Sequence, residues 1–182
     1  AYIFARGTGG IGQWGEVRRL RALDSGASFG VSVSMSGSDL VVGAEGAYVG
    51  GIQTGAAYLF SQDQGGVAEW GQVRKLVGSD AQAGGWFGNA VGISGDTVVV
   101  GARNHGMAYV FGRDQNGPGQ WGQIRQLGPG PWLFGYSVGV GGNAIVVGSP
   151  GSQIGSQEYQ GGVYAYSPFW YCYLPIVLNS GG

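Results

Sequence analysis

The sequence predicts an all-β protein built from repeated antiparallel sheets of four strands each. The chain repeats its own short motifs in a fixed order, as repeat architectures do. Its large apolar residues alternate with small ones, which is typical of strands. Glycine is abundant, at 41 of 182 residues, but it has no collagen-like period and lies beside Val, Tyr, Trp and Phe. This mixture indicates many strands joined by tight turns.

Four motifs recur about three times, separated by connections of varying length. The FG motifs begin at Phe29, Phe87 and Phe134, and the V-V-G motifs begin at Val41, Val99 and Val146. The tyrosine motifs contain Tyr2, Tyr58, Tyr109 and Tyr164, and the W-G-x-[VI]-R-x-L motifs begin at Trp14, Trp70 and Trp121. Because the order is kept while Gly-rich connections change length, the insertions are expected in the loops of a stacked unit.

The first two strands of each unit are predicted to form a hairpin. Bulky residues alternate with Gly, Ala and Ser in the first strand, which indicates that both faces are covered and that one neighbour approaches closely. A short polar turn leads to an apolar, β-branched second strand, which we expect to be buried on both faces. The first strands cover residues 29–36, 87–94 and 134–141, and the second strands cover residues 40–42, 97–100 and 144–147.

The third strand carries the tyrosine motif, and the fourth carries the W-G motif with most of the positive charge. Six of the nine basic residues lie in or beside fourth strands: Arg18, Arg19, Arg21, Arg74, Lys75 and Arg125. Charged side chains commonly protect an exposed sheet edge. Sheets that are apolar at their first strand and polar at their last stack radially as the blades of a β-propeller, with the first strand nearest the axis.

The order of the segments divides the chain into about 3.5 blades. The predicted divisions are a half blade over residues 1–28, blades over 29–86 and 87–133, an incomplete blade over 134–167 and an apolar tail over 168–182. Closed propellers typically have about four to eight blades. We therefore expect either a fragment of a longer propeller or chains that complete one another by strand addition, as a ring or a filament.

The expected assembly edges lie at the two terminal blades. Their candidate residues are Tyr2, Phe4, Trp14, Val17, Leu20, Tyr164, Tyr166, Phe169, Trp170, Leu174, Ile176 and Leu178. The apolar tail is expected to be the outer strand of the last blade, a docking strand for a partner subunit, or a surface-sorting segment. A short apolar run does not specify its own context, so these alternatives stay open.

The recurring motifs resemble the FG-GAP repeat. The resemblance rests on the Phe-Gly opening, the hairpin turn, V-V-G-A at residues 41–44 and 99–102, and the A-Y-[LV]-F segment that follows, and it covers most of residues 1–167. FG-GAP repeats build the propeller blades of integrin α-subunits and of many bacterial secreted proteins. The resemblance implies a seven-bladed propeller as the usual architecture, and a role in adhesion or ligand binding.

The calcium loop of many FG-GAP blades is missing from this sequence. The turns between the first two strands offer only Asp39, Asp96 and Asn143, one in each unit. Calcium takes six to eight oxygen ligands, which one carboxylate cannot supply. The sequence therefore predicts no metal at this position.

Other chemistry is also not expected. The G-x-G-x-x-G pattern over residues 7–12 precedes a strand-type segment, whereas a dinucleotide site needs a helix there. His105 is the only histidine, lies near no nucleophile motif, and is expected to be a solvated loop residue. The sequence predicts no enzyme activity and no cofactor.

Composition excludes further classes of protein. Nine Lys and Arg against ten Asp and Glu leave a net charge of −1, which does not support nucleic acid or anionic membrane partners. The longest apolar stretch, residues 169–178, contains Pro175 and is shorter than the roughly 20 residues of a membrane span. Cys172 is the only cysteine, so no disulfide is expected within one chain. The first residue, Ala1, suggests either a processed secreted protein or a fragment.

Aromatic residues in the connecting loops give a second hypothesis. The loops between second and third strands, and those between blades, should emerge on one propeller face. This would bring Tyr48, Trp86, Trp132 and Tyr159 to the same side, where flat rings stack on sugars. The alternative is that Trp86 and Trp132 pack between blades.

The sequence thus predicts a secreted, non-enzymatic β-propeller protein of the cell surface that self-assembles through incomplete terminal blades into a homo-oligomer. The alternatives are a carbohydrate-binding propeller with a surface glycan or protein ligand, and a fragment of a longer propeller.

Overall fold

The computed structural model describes residues 1–24, 26–64, 66, 69–115, 117–153, 155–156 and 159–167. Within these residues the chain forms fourteen strands and no helix. The strands are β1 (Tyr2–Arg6), β2 (Trp14–Arg19), β3 (Gly26–Ser36), β4 (Asp39–Val49), β5 (Ile52–Gln53), β6 (Ala56–Gln62), β7 (Trp70–Leu76), β8 (Phe87–Ser94), β9 (Thr97–Ala102), β10 (Met107–Gly112), β11 (Gly122–Leu127), β12 (Ser137–Gly141), β13 (Ala144–Ser149) and β14 (Gly162–Tyr166).

These strands form four antiparallel sheets. The N-terminal pair consists of β1 and β2; sheet 1 has the order β3-β4-β6-β7, with β5 on β4; sheet 2 has the order β8-β9-β10-β11; and sheet 3 has the order β12-β13-β14. The predicted all-β class is confirmed. Each first and second strand is joined by a two-residue turn that begins with a glycine at positive φ, at Gly37, Gly95 and Gly142.

Several strand boundaries differ from the sequence prediction: β3 begins at Gly26 rather than at residue 29, and β4 extends to Val49 rather than ending at residue 42. The first strand of sheet 3 begins at Ser137 rather than at residue 134. Positive φ at the FG glycine does not account for this difference, because Gly135 and Gly88 have similar values and Gly88 lies within β8. The short strand β5 is additional, and it folds back onto β4 from the loop that follows.

Sheets 1 and 2 each pack one face against the sheet before them and the other against the sheet after them. The core between sheets 1 and 2 includes Val41, Leu59 and Leu76 from sheet 1 and Phe87 and Val91 from sheet 2. A second core joins the N-terminal pair to sheet 1, and a third joins sheet 2 to sheet 3. This layered packing is how propeller blades bury their apolar faces.

Small residues of the first strand allow the next blade to approach closely, as the alternating pattern predicts. Three serine hydroxyls of β3 accept hydrogen bonds of 3.0–3.2 Å from backbone N–H groups of β8 and its turn: Ser32 from Val91, Ser34 from Ile93 and Ser36 from Gly95. The small face of one first strand therefore fixes the position of the next first strand.

The glycines of the FG and V-V-G motifs meet where sheet 1 contacts sheet 2 and where sheet 2 contacts sheet 3. A Cβ atom on Gly43 would lie 2.0 Å from the carbonyl oxygen of Gly88, and one on Gly101 would lie 2.1 Å from that of Gly135. No side chain fits at such distances. The two motifs thus recur together because each blade places its FG backbone directly on the V-V-G backbone of the blade before it.

Candidate interaction surfaces

The upstream face is the apolar surface of the N-terminal pair and of β3 that points away from sheet 2. It consists of Tyr2, Phe4, Val31, Val33 and Met35, each about half-exposed. On β1, Tyr2 and Phe4 alternate with Ile3, which packs against sheet 1, so they point to the opposite side. A cluster of this kind on one surface usually marks an interaction site.

The same repeat positions are buried where a preceding sheet is present. Val33 and Met35 of β3 are 55% and 61% exposed, whereas their counterparts in β8, Val91 and Ile93, are 6% and 5% exposed. The expectation that both faces of every first strand are covered is therefore wrong for β3. The physical reason is that the N-terminal pair packs mainly against β4 and β6, while Val33 and Met35 of β3 are not in this core.

The aromatic residues of β1 lack their usual partner. In sheets 1 and 2 the FG phenylalanine packs against the tyrosine of the third strand, with ring centroids 5.6 Å apart for Phe29 and Tyr58 and 5.2 Å apart for Phe87 and Tyr109. Tyr2 holds the same motif position as these tyrosines but has no FG phenylalanine in its own sheet. Among the described strands, β1 pairs only with β2, so its other edge is open.

The downstream face is the outer surface of sheet 3. It includes Val146 and Val163, which are 41% and 48% exposed, whereas Val41 and Val99, at the position of Val146 in sheets 1 and 2, are fully buried. Gly148 holds the V-V-G glycine of this sheet, and among the described residues no backbone of a following blade lies on it. The nearest atom to a Cβ built there is Oγ of Ser137, at 2.2 Å.

The candidate assembly residues fall into three groups. Tyr2, Phe4, Trp14 and Val17 are exposed on the N-terminal pair. Leu20 is buried in the core between this pair and sheet 1, and Tyr164 and Tyr166 are partly buried against sheet 2, so these three contribute little accessible surface. The remaining candidates lie outside the described residues: Phe169, Trp170, Leu174, Ile176 and Leu178.

The aromatic loop residues lie at one end of the sheets. Backbone hydrogen bonds of 2.9 Å from Gly84 to Gln53 and from Gly130 to Gly106 join the loops between sheets to the loops between second and third strands. Tyr48, Trp86, Trp132 and Tyr159 all remain substantially exposed there. Trp86 and Trp132 are 39% and 62% exposed, so neither is fully buried.

Only two of these four aromatic residues meet. The rings of Trp132 and Tyr159 lie edge to face with centroids 5.5 Å apart. Trp86 instead contacts the guanidinium of Arg103, 4.6 Å from the ring centroid, and Tyr136 contacts the same guanidinium at 5.2 Å. The loop end therefore carries an aromatic pair and a separate arginine cluster.

Sequence reasoning missed the Arg103 cluster. Arg103 follows V-V-G-A in sheet 2, and Glu45 holds the same position in sheet 1; the two form an ion pair at 3.4 Å. The Nε atom of Arg103 is buried and has no hydrogen-bond partner in the part of the chain described. The sequence does contain one signal for this ion pair, because the residue after V-V-G-A is acidic in one unit and basic in the next.

At the other end of the sheets, Arg113 links sheets 1 and 2. Its guanidinium forms ion pairs with Asp39 and, at 2.6 Å, with Asp96, and it stacks 4.7 Å from the ring centroid of Trp121. Asp39 is buried, and it also accepts a hydrogen bond from Ser61. The two aspartates that the family would use near calcium are thus neutralised by an arginine.

His105 is not an isolated loop residue, which corrects the sequence prediction. Its Nδ1 atom lies 3.0 Å from the hydroxyl of Tyr109, which donates a hydrogen bond of 2.7 Å to Asp80. Burial, with Asp80 adding to it, raises the pKa of Tyr109 above its ordinary value, so the hydroxyl stays a neutral donor. These contacts of His105, Tyr109 and Asp80 attach the loop after sheet 1 to sheet 2. None of the three residues is a serine or cysteine nucleophile.

The comparison with protein families identifies these sheets. The model of the FG-GAP repeat matches residues 14–60 and 70–111. The first match covers β2 to β5 and most of β6, and the second covers β7 to β9 and most of β10. These two stretches of the chain are FG-GAP repeats, and the sheets that they form have the four-stranded arrangement of β-propeller blades. A search of curated proteins found no match.

The family gives a general class of function. FG-GAP repeats typically occur in extracellular proteins and indicate a propeller-type domain of the extracellular or adhesion class. Among the described residues, no helix is long and apolar enough to cross a membrane. The same residues contain no group of three or more potential metal ligands.

Proposed function

We propose that this protein is a non-enzymatic structural or adhesive module of the cell surface that associates with further copies of itself through the upstream and downstream faces. One observation carries the proposal. Val33 and Met35 are exposed, while the residues at the same positions in sheet 2, Val91 and Ile93, are buried by sheet 1. The upstream face thus has the composition of a contact between blades.

The energetics require more than apolar burial. Burying a large apolar side chain completely contributes about 1.5–3 kcal/mol. The five half-exposed residues of the upstream face would therefore contribute roughly 5 kcal/mol, close to the lower limit of the ~4–15 kcal/mol that association costs. Strand pairing along the open edge of β1 supplies the additional contacts, so the proposed interface combines packing with main-chain hydrogen bonds.

Light scattering on the purified chain tests self-association. Val33→Asp and Met35→Asp place a charge on the upstream face, and we expect each to weaken association at least tenfold without unfolding the chain, because both side chains are exposed. Ile11→Asp is the matched control, since Ile11 is fully exposed in the β1–β2 turn, away from this face. Equal behaviour of all three variants would contradict the proposal.

A second candidate function is carbohydrate binding, and the Trp132–Tyr159 pair favours it. Exposed aromatic rings that are held in place can stack on sugar rings. The ring of Trp132 is supported by the backbone of Gly151, and its carbonyl accepts a hydrogen bond from Ser149 at 2.9 Å. A glycan array should show binding that Trp132→Ala and Tyr159→Ala abolish and Tyr48→Ala does not, and an array without any bound glycan would contradict this function.

The same faces would be covered by neighbouring blades if the chain is part of a longer propeller. The intact mass of the protein isolated from its source distinguishes this case from self-association. A native mass of 18.7 kDa per chain is the result expected for self-association.

A further inference from the structure

We propose that the upstream face is occupied by the β12–β13 hairpin of a second copy, with β1 and β2 taking the place that β14 holds in the structure described here. The result would be one complete four-stranded blade shared between two chains. This inference rests on the proposed self-association and states its structural mode.

The N-terminal pair defines what kind of element is missing beside it. β1 carries the tyrosine motif and β2 the W-G motif, which are the third and fourth strands of a blade. The open edge of β1 is the edge where a second strand belongs. The fitting occupant is therefore a hairpin of first and second strands, and such a hairpin is formed by β12 and β13.

β1 and β14 carry the same motif, so one can replace the other on β13. Residues 1–4 read A-Y-I-F, and residues 163–166 read V-Y-A-Y. The ring of Tyr164 packs 5.3 Å from that of Phe134, and Tyr2 would take this position after exchange. The contacts that β14 makes with β13 and Phe134 would thus be replaced by similar contacts of β1, and β2 would add the fourth strand of the blade. Exchange of equivalent elements is a common route to dimers.

The outer surface of β12 has the right composition to cover β3. It presents Ser137, Gly139 and Gly141, which hold the positions of Ser32, Ser34 and Ser36 on the small face of β3. Since that small face packs on β8, the corresponding face of β12 fits the same positions on β3 of the other chain. The Ser137 hydroxyl would accept the backbone N–H of Val33, as Ser32 accepts that of Val91.

The glycine contact between blades would also be completed. Within the described part of the chain, no FG backbone lies on Gly148, and a Cβ on Gly30 would come within 4.0 Å only of the backbone nitrogen of Ala1. Gly43 and Gly88 are such a V-V-G and FG pair with both partners present, and their backbones lie in direct contact. Each chain therefore offers one unused partner at each end.

The number of blades predicts two copies. After exchange each chain accounts for three complete blades, because two are its own and two halves are shared. Two chains would make six blades, within the range of about four to eight that closed propellers have, and three chains would make nine. We therefore expect a closed two-chain ring rather than a filament.

Light scattering and native mass spectrometry test the stoichiometry. The expected particle has twice the chain mass of 18.7 kDa. Larger or concentration-dependent open polymers would overturn the ring and leave self-association standing. A particle of one chain mass at all concentrations would overturn both proposals.

Engineered disulfides test the exchange itself, in a background with Cys172→Ser. Val146 and Ala165 are direct partners in the β13–β14 ladder, so V146C/A165C should lock β14 in place and abolish the dimer, with the dimer returning on reduction. I3C/V146C should instead give a covalent dimer, because Ile3 holds the position of Ala165 in the motif. A locked variant that still dimerises, or an I3C/V146C variant that remains uncrosslinked in the dimer, would overturn the exchange.

Discussion

Replacing the glycines at the contacts between blades should destabilise the fold by amounts that the geometry distinguishes. Gly88 has a φ of 90°, and a Cβ there would lie 2.2 Å from the carbonyl oxygen of Ala56. Gly30 has a similar φ of 97° but no atom closer than 4.0 Å. Gly43 has no positive φ, but a Cβ would lie 2.0 Å from backbone. The three positions therefore separate backbone strain from steric overlap.

The expected magnitudes follow from these differences. A left-handed backbone conformation costs an L-residue roughly 1–2 kcal/mol. Alanine also lowers the conformational entropy of the unfolded chain, which stabilises the fold by about 0.4–1 kcal/mol. Gly30→Ala should therefore reduce the free energy of unfolding by about 1 kcal/mol. Overpacking costs about 1–3 kcal/mol, and the upper value applies where backbone meets backbone, so Gly43→Ala should cost about 3 kcal/mol. Gly88→Ala combines both effects and should cost about 4 kcal/mol.

Urea unfolding followed by tryptophan fluorescence and circular dichroism measures these free energies of unfolding. The measurement belongs at a protein concentration at which the chain is monomeric, because the proposed dimer would place backbone on Gly30. If Gly43→Ala and Gly30→Ala cost the same, or Gly88→Ala cost no more than Gly30→Ala, the account of blade contacts would be refuted.

Three further predictions concern polar contacts. A hydrogen bond from Lys75 lowers the pKa of Asp24 below its ordinary value of 3.8, so the contribution of Asp24 to stability is present above pH 3.8 and lost as the pH falls through the lowered pKa. Asp24→Asn should reduce the melting temperature at pH 7, and this reduction should shrink as the pH falls below 3.8. Arg113→Ala leaves the buried Asp39 without its cation and should cost about 2–3 kcal/mol in urea unfolding, and adding Asp39→Asn should recover part of this loss. Ser34→Ala removes an acceptor between sheets 1 and 2 and should cost about 1 kcal/mol, with Ser38→Ala as the control outside this row of contacts.

The strands could be predicted from the sequence because their signals are local. Alternation with period two and the V-V-G runs depend only on neighbouring residues, so the order of strands in sheets 1 and 2 is as expected. The late start of β12 was not predictable from this pattern. The FG motif of sheet 3 continues the alternation, and its sequence carries no signal that the strand begins only at Ser137.

The candidate surfaces were less predictable because they depend on what covers each sheet. Val33 and Val91 have the same sequence context and opposite burial, which only the packing of the N-terminal pair explains. The contact of Arg103 with Glu45 joins residues 58 positions apart, and the chain between them gives no local pattern for it. His105 was expected to be solvated because its partner, Tyr109, is identified only when the turn before β10 is known.

The central claim is that the open faces at the two ends of this array of blades complete one another in a second copy. Electron microscopy of the purified protein, viewed along the particle axis, tests it most directly. We predict class averages of a closed ring with six blades and two-fold symmetry. Averages of a single open array of three sheets, at concentrations well above those of the scattering experiment, would contradict the claim.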